Sequence, residues 1–292
     1  MSAALPAFLL ETIFYLGAMF QQTRALLARI PSPAQQGALL WISALAPYLV
    51  FSLAAGSLER SAFYLLSALC ALLAFWYVLA PRRAAYDLGF LIIAAAPVVE
   101  RVFPRIYRAP DDHLRIDVLG HLMWIRLGVL ALLVLREWDP GPFSPWPTRT
   151  EWKIGLLYYL AVLAPLVLVA LGIHELRFAV PHDIWWKGFA MGLATFFAAL
   201  WVIALGEELF FRGVVERALY DTWGSPLMAV LLSALIFGAA HLWFHHFPDW
   251  RRAALTVILG IGCGLAYLQT GTVRASMVTH ACVVATWRLF FR

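Results

Sequence analysis

Nine runs of 18 to 20 mostly apolar residues dominate this chain: 6–23, 38–57, 61–80, 118–135, 154–172, 187–206, 226–244, 253–270 and 273–291. At 1.5 Å per residue such a run forms a helix about 27–30 Å long, close to the thickness of a bilayer's hydrocarbon core. In lipid every backbone donor and acceptor must be satisfied within the protein, so runs of this kind are read as helices. A tenth stretch, 88–99 (LGFLIIAAAPVV), is too short to span comfortably. It contains Pro97 and runs into Glu100 and Arg101, which predicts a re-entrant or broken helix. The expected fold is all-α: a polytopic transmembrane helical bundle with about eight or nine spanning helices. Composition points the same way. The chain is 63% hydrophobic and 13% charged, against roughly 25% charged in soluble domains. A soluble fold of this size has too little interior to hide that much apolar surface.

The net charge of +5 would suggest nucleic acid in a soluble protein. Here the basic residues sit in short loops between apolar runs, where they face headgroups and bias topology. No basic run is long enough to form a nucleic-acid patch, so none is expected as a partner. Cys70, Cys263 and Cys282 all lie in apolar runs without paired spacing and are read as inert buried thiols. The first residues, MSAALPAFLLETIFYL, lack a basic leader and a clean cleavage site, so they are read as a retained first helix or an interfacial segment rather than a signal peptide. Four prolines in DPGPFSPWPT (139–148) rule out a helix there. They mark the expected boundary between an N-terminal helical region, 1–150, and a C-terminal core, 151–292. Of 22 basic residues only Lys153 and Lys187 are lysine, and asparagine is absent. That bias suggests a high-GC bacterial source, and hence the cytoplasmic (inner) membrane.

Function is best sought where ionisable groups interrupt apolar spans, because each costs about 2.5–3.5 kcal/mol to insert. Three segments qualify: 201–219 with Glu207, Glu208 and Arg212; 234–247 with His241, His245 and His246; and 275–287 with His280. Glu208 and Arg212 stand at i and i+4 with the acid first, the favourable order for an intrahelical pair. The plain alternative is that this pair only lets the helix cross an interface. Glu207 lies about 100° around the helix and meets Phe211 at i+4, so it is presented elsewhere. A carboxylate in an apolar site can act as a general base. Phe237, one turn before His241, can hold that imidazole in place. Two histidines and a carboxylate from three helices can converge on one water. Glu207 would deprotonate it, while a histidine orients it or protonates the leaving amine.

Glu207-Glu208-x-x-x-Arg212, then Phe237-x-x-x-His241, then His280 resemble, in order and spacing, the three signature motifs of the CPBP family. That family includes CAAX-type prenyl-protein endopeptidases and bacteriocin-processing homologues. The resemblance covers about residues 187–292 and is weak over 1–150. It implies a glutamate-dependent intramembrane protease acting on a membrane-associated peptide or protein. Glu207 and His241 would activate water, Glu208 and Arg212 would support the site, and His280 would help stabilise the oxyanion. The chain departs from the family once: the third motif usually ends in asparagine at i+4, where this chain has Val284.

No cofactor is expected. His241 and His245 do have the i, i+4 spacing of a two-histidine metal face, and with Glu207 they could ligate zinc. Against this, His246-Phe247-Pro248-Asp249-Trp250 reads as a helix exit at the membrane surface. His121 and Arg126 in the 118–135 run are read as packing, and Glu11 and Glu100 as interfacial. Two other functions fit the same residues: a non-catalytic scaffold or immunity-type binding protein, and a transporter using Glu207 and His241 as a proton relay. The second lacks an internal repeat.

Overall fold

The computed structural model of the chain describes residues 4–108, 116–138, 146–178, 185–242 and 247–291, without the side chains of residues 84, 85 and 185. The described residues are helical apart from turns and one isolated bridge between Phe178 and Phe291. The chain divides into two compact units, Met1–Asp139 and Pro140–Arg292.

The first unit holds α1 (Ala4–Met19), α2 (Gln21–Ala28), α3 (Pro33–Ala54), α4 (Arg60–Leu79), α5 (Ala84–Val99), α6 (Val102–Ile106) and α7 (Asp117–Leu130), which runs on as a π-helical turn to Leu135. The first apolar run is not one rod. The backbone turns extended at Phe20 (φ −80, ψ 133), and α1 and α2 meet at 85°. The 88–99 stretch is not itself broken: it lies inside one continuous helix, α5, which ends at Val99, after which Arg101 adopts a left-handed conformation and α6 begins. Helices α1, α3, α4 and α7 pack together around Leu40, Leu66, Leu73, Leu119 and Met123.

Charge inside this unit is neutralised side chain by side chain. Arg126 on α7 reaches both oxygens of Glu11 on α1, with Nε to Oε1 at 2.8 Å and Nη2 to Oε2 at 3.0 Å. It also donates to the Ser43 hydroxyl and carbonyl on α3. Glu11 is therefore not interfacial as its sequence position suggested, but fully buried. Arg136 similarly grips both oxygens of Asp87. His121 bonds the Asp117 carbonyl one turn earlier and meets Phe103 edge-on, a packing role.

The second unit begins with α8 (Arg149–Gly172), opened by a reciprocal cap between Thr148 and Glu151. Glu151 also accepts from Thr272 at 2.7 Å and pairs with Arg274 at 2.8 Å, tying the starts of α8 and the last helix together. A helical run then extends without a break from Trp186 to Trp223. It comprises α9 (Trp185–Ala198), a π segment (Ala199–Ala204), α10 (Leu205–Glu208), a second π segment (Leu209–Glu216) and α11 (Arg217–Trp223). The sequence reading ended this span at 206; the structure carries it through the paired glutamates. Three helices follow: α12 (Pro226–Ala240), α13 (Trp250–Thr270) and α14 (Val273–Phe290). Gly155 and Gly238 allow the close approach of this bundle. A Cβ on either would fall 2.7–2.8 Å from a carbonyl oxygen of α14 or α13.

Among the described residues six helices or helical runs are long and apolar enough to cross a membrane, or seven if the bent pair counts as one. The chain is thus an all-α, multi-pass membrane protein. α12 falls short at 15 residues. α14 carries Arg274, His280 and Arg288 among its 18 residues, too polar a stretch for that criterion.

Candidate active site

Five helices or helical runs of the second unit line a cavity of about 150 Å³. A nucleophilic water needs only about 10–15 Å³ by the same measure. Glu207, His241 and His280, 73 residues apart from first to last, all line it, as do Phe237 and Val284. The segment around Glu207 is α-helical only for one turn, with π-helical turns on both sides. Such turns re-aim side chains relative to the preceding helix and recur at functional sites.

Glu207 shows 34% of its side chain to solvent. Its Oε2 is nonetheless buried, has no hydrogen-bond partner among the described residues, and lies 3.8 Å from His280 Nε2. Glu208 is opposite in character. It is fully buried and does not line the cavity. Its Oε1 accepts from His280 Nδ1 at 2.7 Å, and its Oε2 lies 3.1 Å from Arg212 Nε. The i, i+4 pair read from the sequence forms even though Arg212 sits in a π segment.

Arg212 is held from several sides. It donates to Ser233 and to the Gly260 carbonyl, and its guanidinium lies over the Phe237 ring at 5.1 Å. Glu216, a further turn along, comes within 3.8 Å. The sequence reading missed Glu216. The signal was present as acid, base and acid at 208, 212 and 216.

The histidines have defined roles. His241 ends α12, and its Nδ1 lies 2.9 Å from the Phe237 carbonyl. A carbonyl only accepts, so Nδ1 carries the proton and the neutral ring has its lone pair on Nε2. Phe237 also stands edge-on to both His241 and His280, at 4.8 and 5.9 Å. It is the shared wall between them. His280 donates through Nδ1 to Glu208, which leaves Nε2 on the Glu207 side.

One set of metal-capable side chains converges among the described residues. Glu208, Cys263 and His280 each place a ligand atom within 4.8 Å of the others. It differs from the set Glu207, His241 and His245 suggested by spacing, and His245 lies outside the described residues. The guanidinium of Arg212 already supplies the positive charge beside Glu208.

Residues 187–286 match the family described as "Type II CAAX prenyl endopeptidase Rce1-like". The matched stretch is about a third of the chain, and over it the chain is similar to that family. The match takes in Glu207, Glu208, Arg212, Phe237, His241, His280 and Val284. The family so described is one of endopeptidases. No curated protein and no solved structure matches the chain. Arg252, Thr256 and Arg288 also line the cavity. They escaped the sequence reading because polar residues at span ends are ordinary.

Proposed function

We propose that the chain hydrolyses a peptide bond in a membrane-associated peptide or protein, using a water activated by Glu207 and His241. The observation that carries this reading is that Glu207, His241 and His280, from three different helical segments, line one cavity while Glu207 Oε2 stays without a hydrogen-bond partner. Glu207 takes a proton from water as its oxygen adds to the scissile carbonyl. His241, its Nδ1–H held by Phe237, accepts a second hydrogen bond from that water at Nε2. His280 in its protonated form donates Nε2–H to the oxyanion. The proton held by Glu207 passes to the leaving nitrogen as the C–N bond breaks. Glu208 acts through His280 and is a positioning residue. This route needs no metal and forms no acyl-enzyme. The lipid bilayer is the surrounding solvent, and the membrane would be the cytoplasmic membrane of a bacterium.

The test uses purified protein in liposomes with an internally quenched peptide ending in Cys-aliphatic-aliphatic-X, with and without a prenyl group on the cysteine. Wild type is expected to cleave, and Glu207→Gln and His241→Ala to lose cleavage. Equal rates for all three would sink the mechanism. Activity should survive exhaustive chelation; loss of activity restored by zinc would overturn the metal-free route. Val284, at the cavity wall where the resemblance expects an asparagine amide, favours a second reading, that of a non-catalytic binding protein. A deletion phenotype rescued by the Glu207→Gln gene would establish that reading instead.

A further inference from the structure

The side chains of the cavity wall are rich in hydrogen-bond donors and poor in acceptors. Arg252, His280, Trp287 and Arg288 all carry N–H groups. Acceptors are fewer. Glu207 and His241 line the cavity too, and the proposed reaction commits both to the water. One further acceptor remains among the lining side chains, the hydroxyl of Thr256 on α13.

That hydroxyl has a fixed direction. It donates to the Arg252 carbonyl one turn earlier, at 2.8 Å. A threonine that bonds back in this way is ordinary within a helix, and the bond spends the hydroxyl's single proton. Two lone pairs remain, so Thr256 can only accept. The residue is buried, and whatever enters the cavity is what can reach those lone pairs.

Helix packing puts this acceptor beside the water site. α12 and α13 run in opposite directions, with Gly238 against Ala253 and Val257, and Phe237 against Gly260. His241 is one turn beyond Phe237, and Thr256 is one turn before Gly260. The two residues therefore stand at one level, on two helices, around one cavity. A peptide entering there brings one N–H and one C=O per residue. Its carbonyls meet donors on the wall. Its N–H groups leave water and need an acceptor, and one left without a partner weakens binding by about tenfold.

We infer that the Thr256 hydroxyl accepts a hydrogen bond from a backbone N–H of the substrate, within about two residues of the bond that is cut. Its level beside His241 sets that span, because an extended chain advances about 3.3–3.6 Å per residue. The inference rests on the proposed hydrolytic reading and adds a residue that fixes the register of the bound chain.

The experiment removes the substrate's N–H groups one at a time. The internally quenched peptide carries a single N-methyl group at each backbone nitrogen in turn on either side of the scissile bond. Each version is offered in liposomes to wild type, Thr256→Val and Thr256→Ser. Valine keeps the shape of threonine and loses the acceptor, while serine keeps the acceptor. With unmethylated peptide, Thr256→Val should raise KM about tenfold with kcat within about twofold of wild type, and Thr256→Ser should stay near wild type. One methyl position should cost wild type about tenfold in kcat/KM and cost Thr256→Val nothing further. Methyl penalties that match in wild type and Thr256→Val at every position would overturn the inference, leaving Thr256 a packing residue and hydrolysis standing. A Thr256→Val effect on kcat alone would overturn it too. Each methyl penalty is a ratio within one protein, so a smaller folded fraction does not move it. If the valine variant does not fold, Thr256→Ala takes its place. Should wild type cleave none of the peptides, the hydrolytic reading fails. Affinity of the labelled peptides for Glu207→Gln, with and without Thr256→Val, then decides. Equal affinity overturns the inference, and weaker binding by the double variant, confined to peptides that keep the N–H, supports it.

Discussion

Both units bury charge in an apolar setting, and they treat it differently. In the first unit Glu11 has each oxygen taken by Arg126, and Asp87 has each oxygen taken by Arg136. In the second, Glu208 is taken by Arg212 and His280, but its neighbour Glu207 is not. The first arrangement holds helices together. The second uses the same kind of pair to support a histidine beside a carboxylate that faces open space. A buried ion pair in a membrane protein is thus weak evidence of function. A half-buried carboxylate left over beside one, at a cavity wall, is stronger evidence.

Removing the leftover carboxylate should hurt chemistry and spare the fold. Glu207→Gln is expected to lower kcat by about 10²–10⁴, with the thermal midpoint in detergent unchanged. A large fall in that midpoint would put Glu207 among the structural residues and break the contrast. The reverse is expected in the first unit. Glu11→Ala leaves Arg126 charged and buried, which costs about 3–5 kcal/mol. Thermal unfolding should show this, while kcat of the protein that remains folded stays at the wild-type value. Glu208→Gln belongs between these cases. It should cost about 10–100-fold in kcat, like loss of a carboxylate that orients a functional histidine, with a smaller loss of stability. Val284→Asn should raise kcat by about tenfold, a fraction of what a pre-organised oxyanion donor supplies. An unchanged kcat there would mean the oxyanion lies away from this wall. The mildest expectation is the double replacement Glu11→Met with Arg126→Met. It removes both charges together and should return stability to within about 1 kcal/mol of wild type.

The parts of this molecule that were legible were those encoded locally. Apolar runs specify helices because lipid leaves the backbone no other partner. Glu207 could be separated from Glu208 by helical phase alone. His241 and His280 could be singled out because a histidine in an apolar run is costly. What could not be read depended on distant pairing. Glu11 and Arg126 are 115 residues apart, and no spacing rule connects them. Glu11, taken alone, looked like an ordinary interfacial acid. Arg252 and Arg288 sit where arginine is commonplace, and only the packing of α13 against α14 brings them to one cavity. The break at Phe20 and the π turns around the glutamates are backbone departures within apolar sequence that gives little sign of them.

Those π turns have a consequence for how the protein tolerates change in length. A π turn is an α-helix that has taken in one extra residue. Deleting a single residue from Ala199–Ala204 would let the helix close back to regular pitch with everything beyond it near its present phase. Deleting one from α9, which holds no extra residue, would instead rotate everything beyond by about 100°. Glu207 would then swing away from the cavity and a neighbour would take its place, with no side chain in the site having been altered. The π stretch is where the run can lose a residue and keep the cavity lining in register.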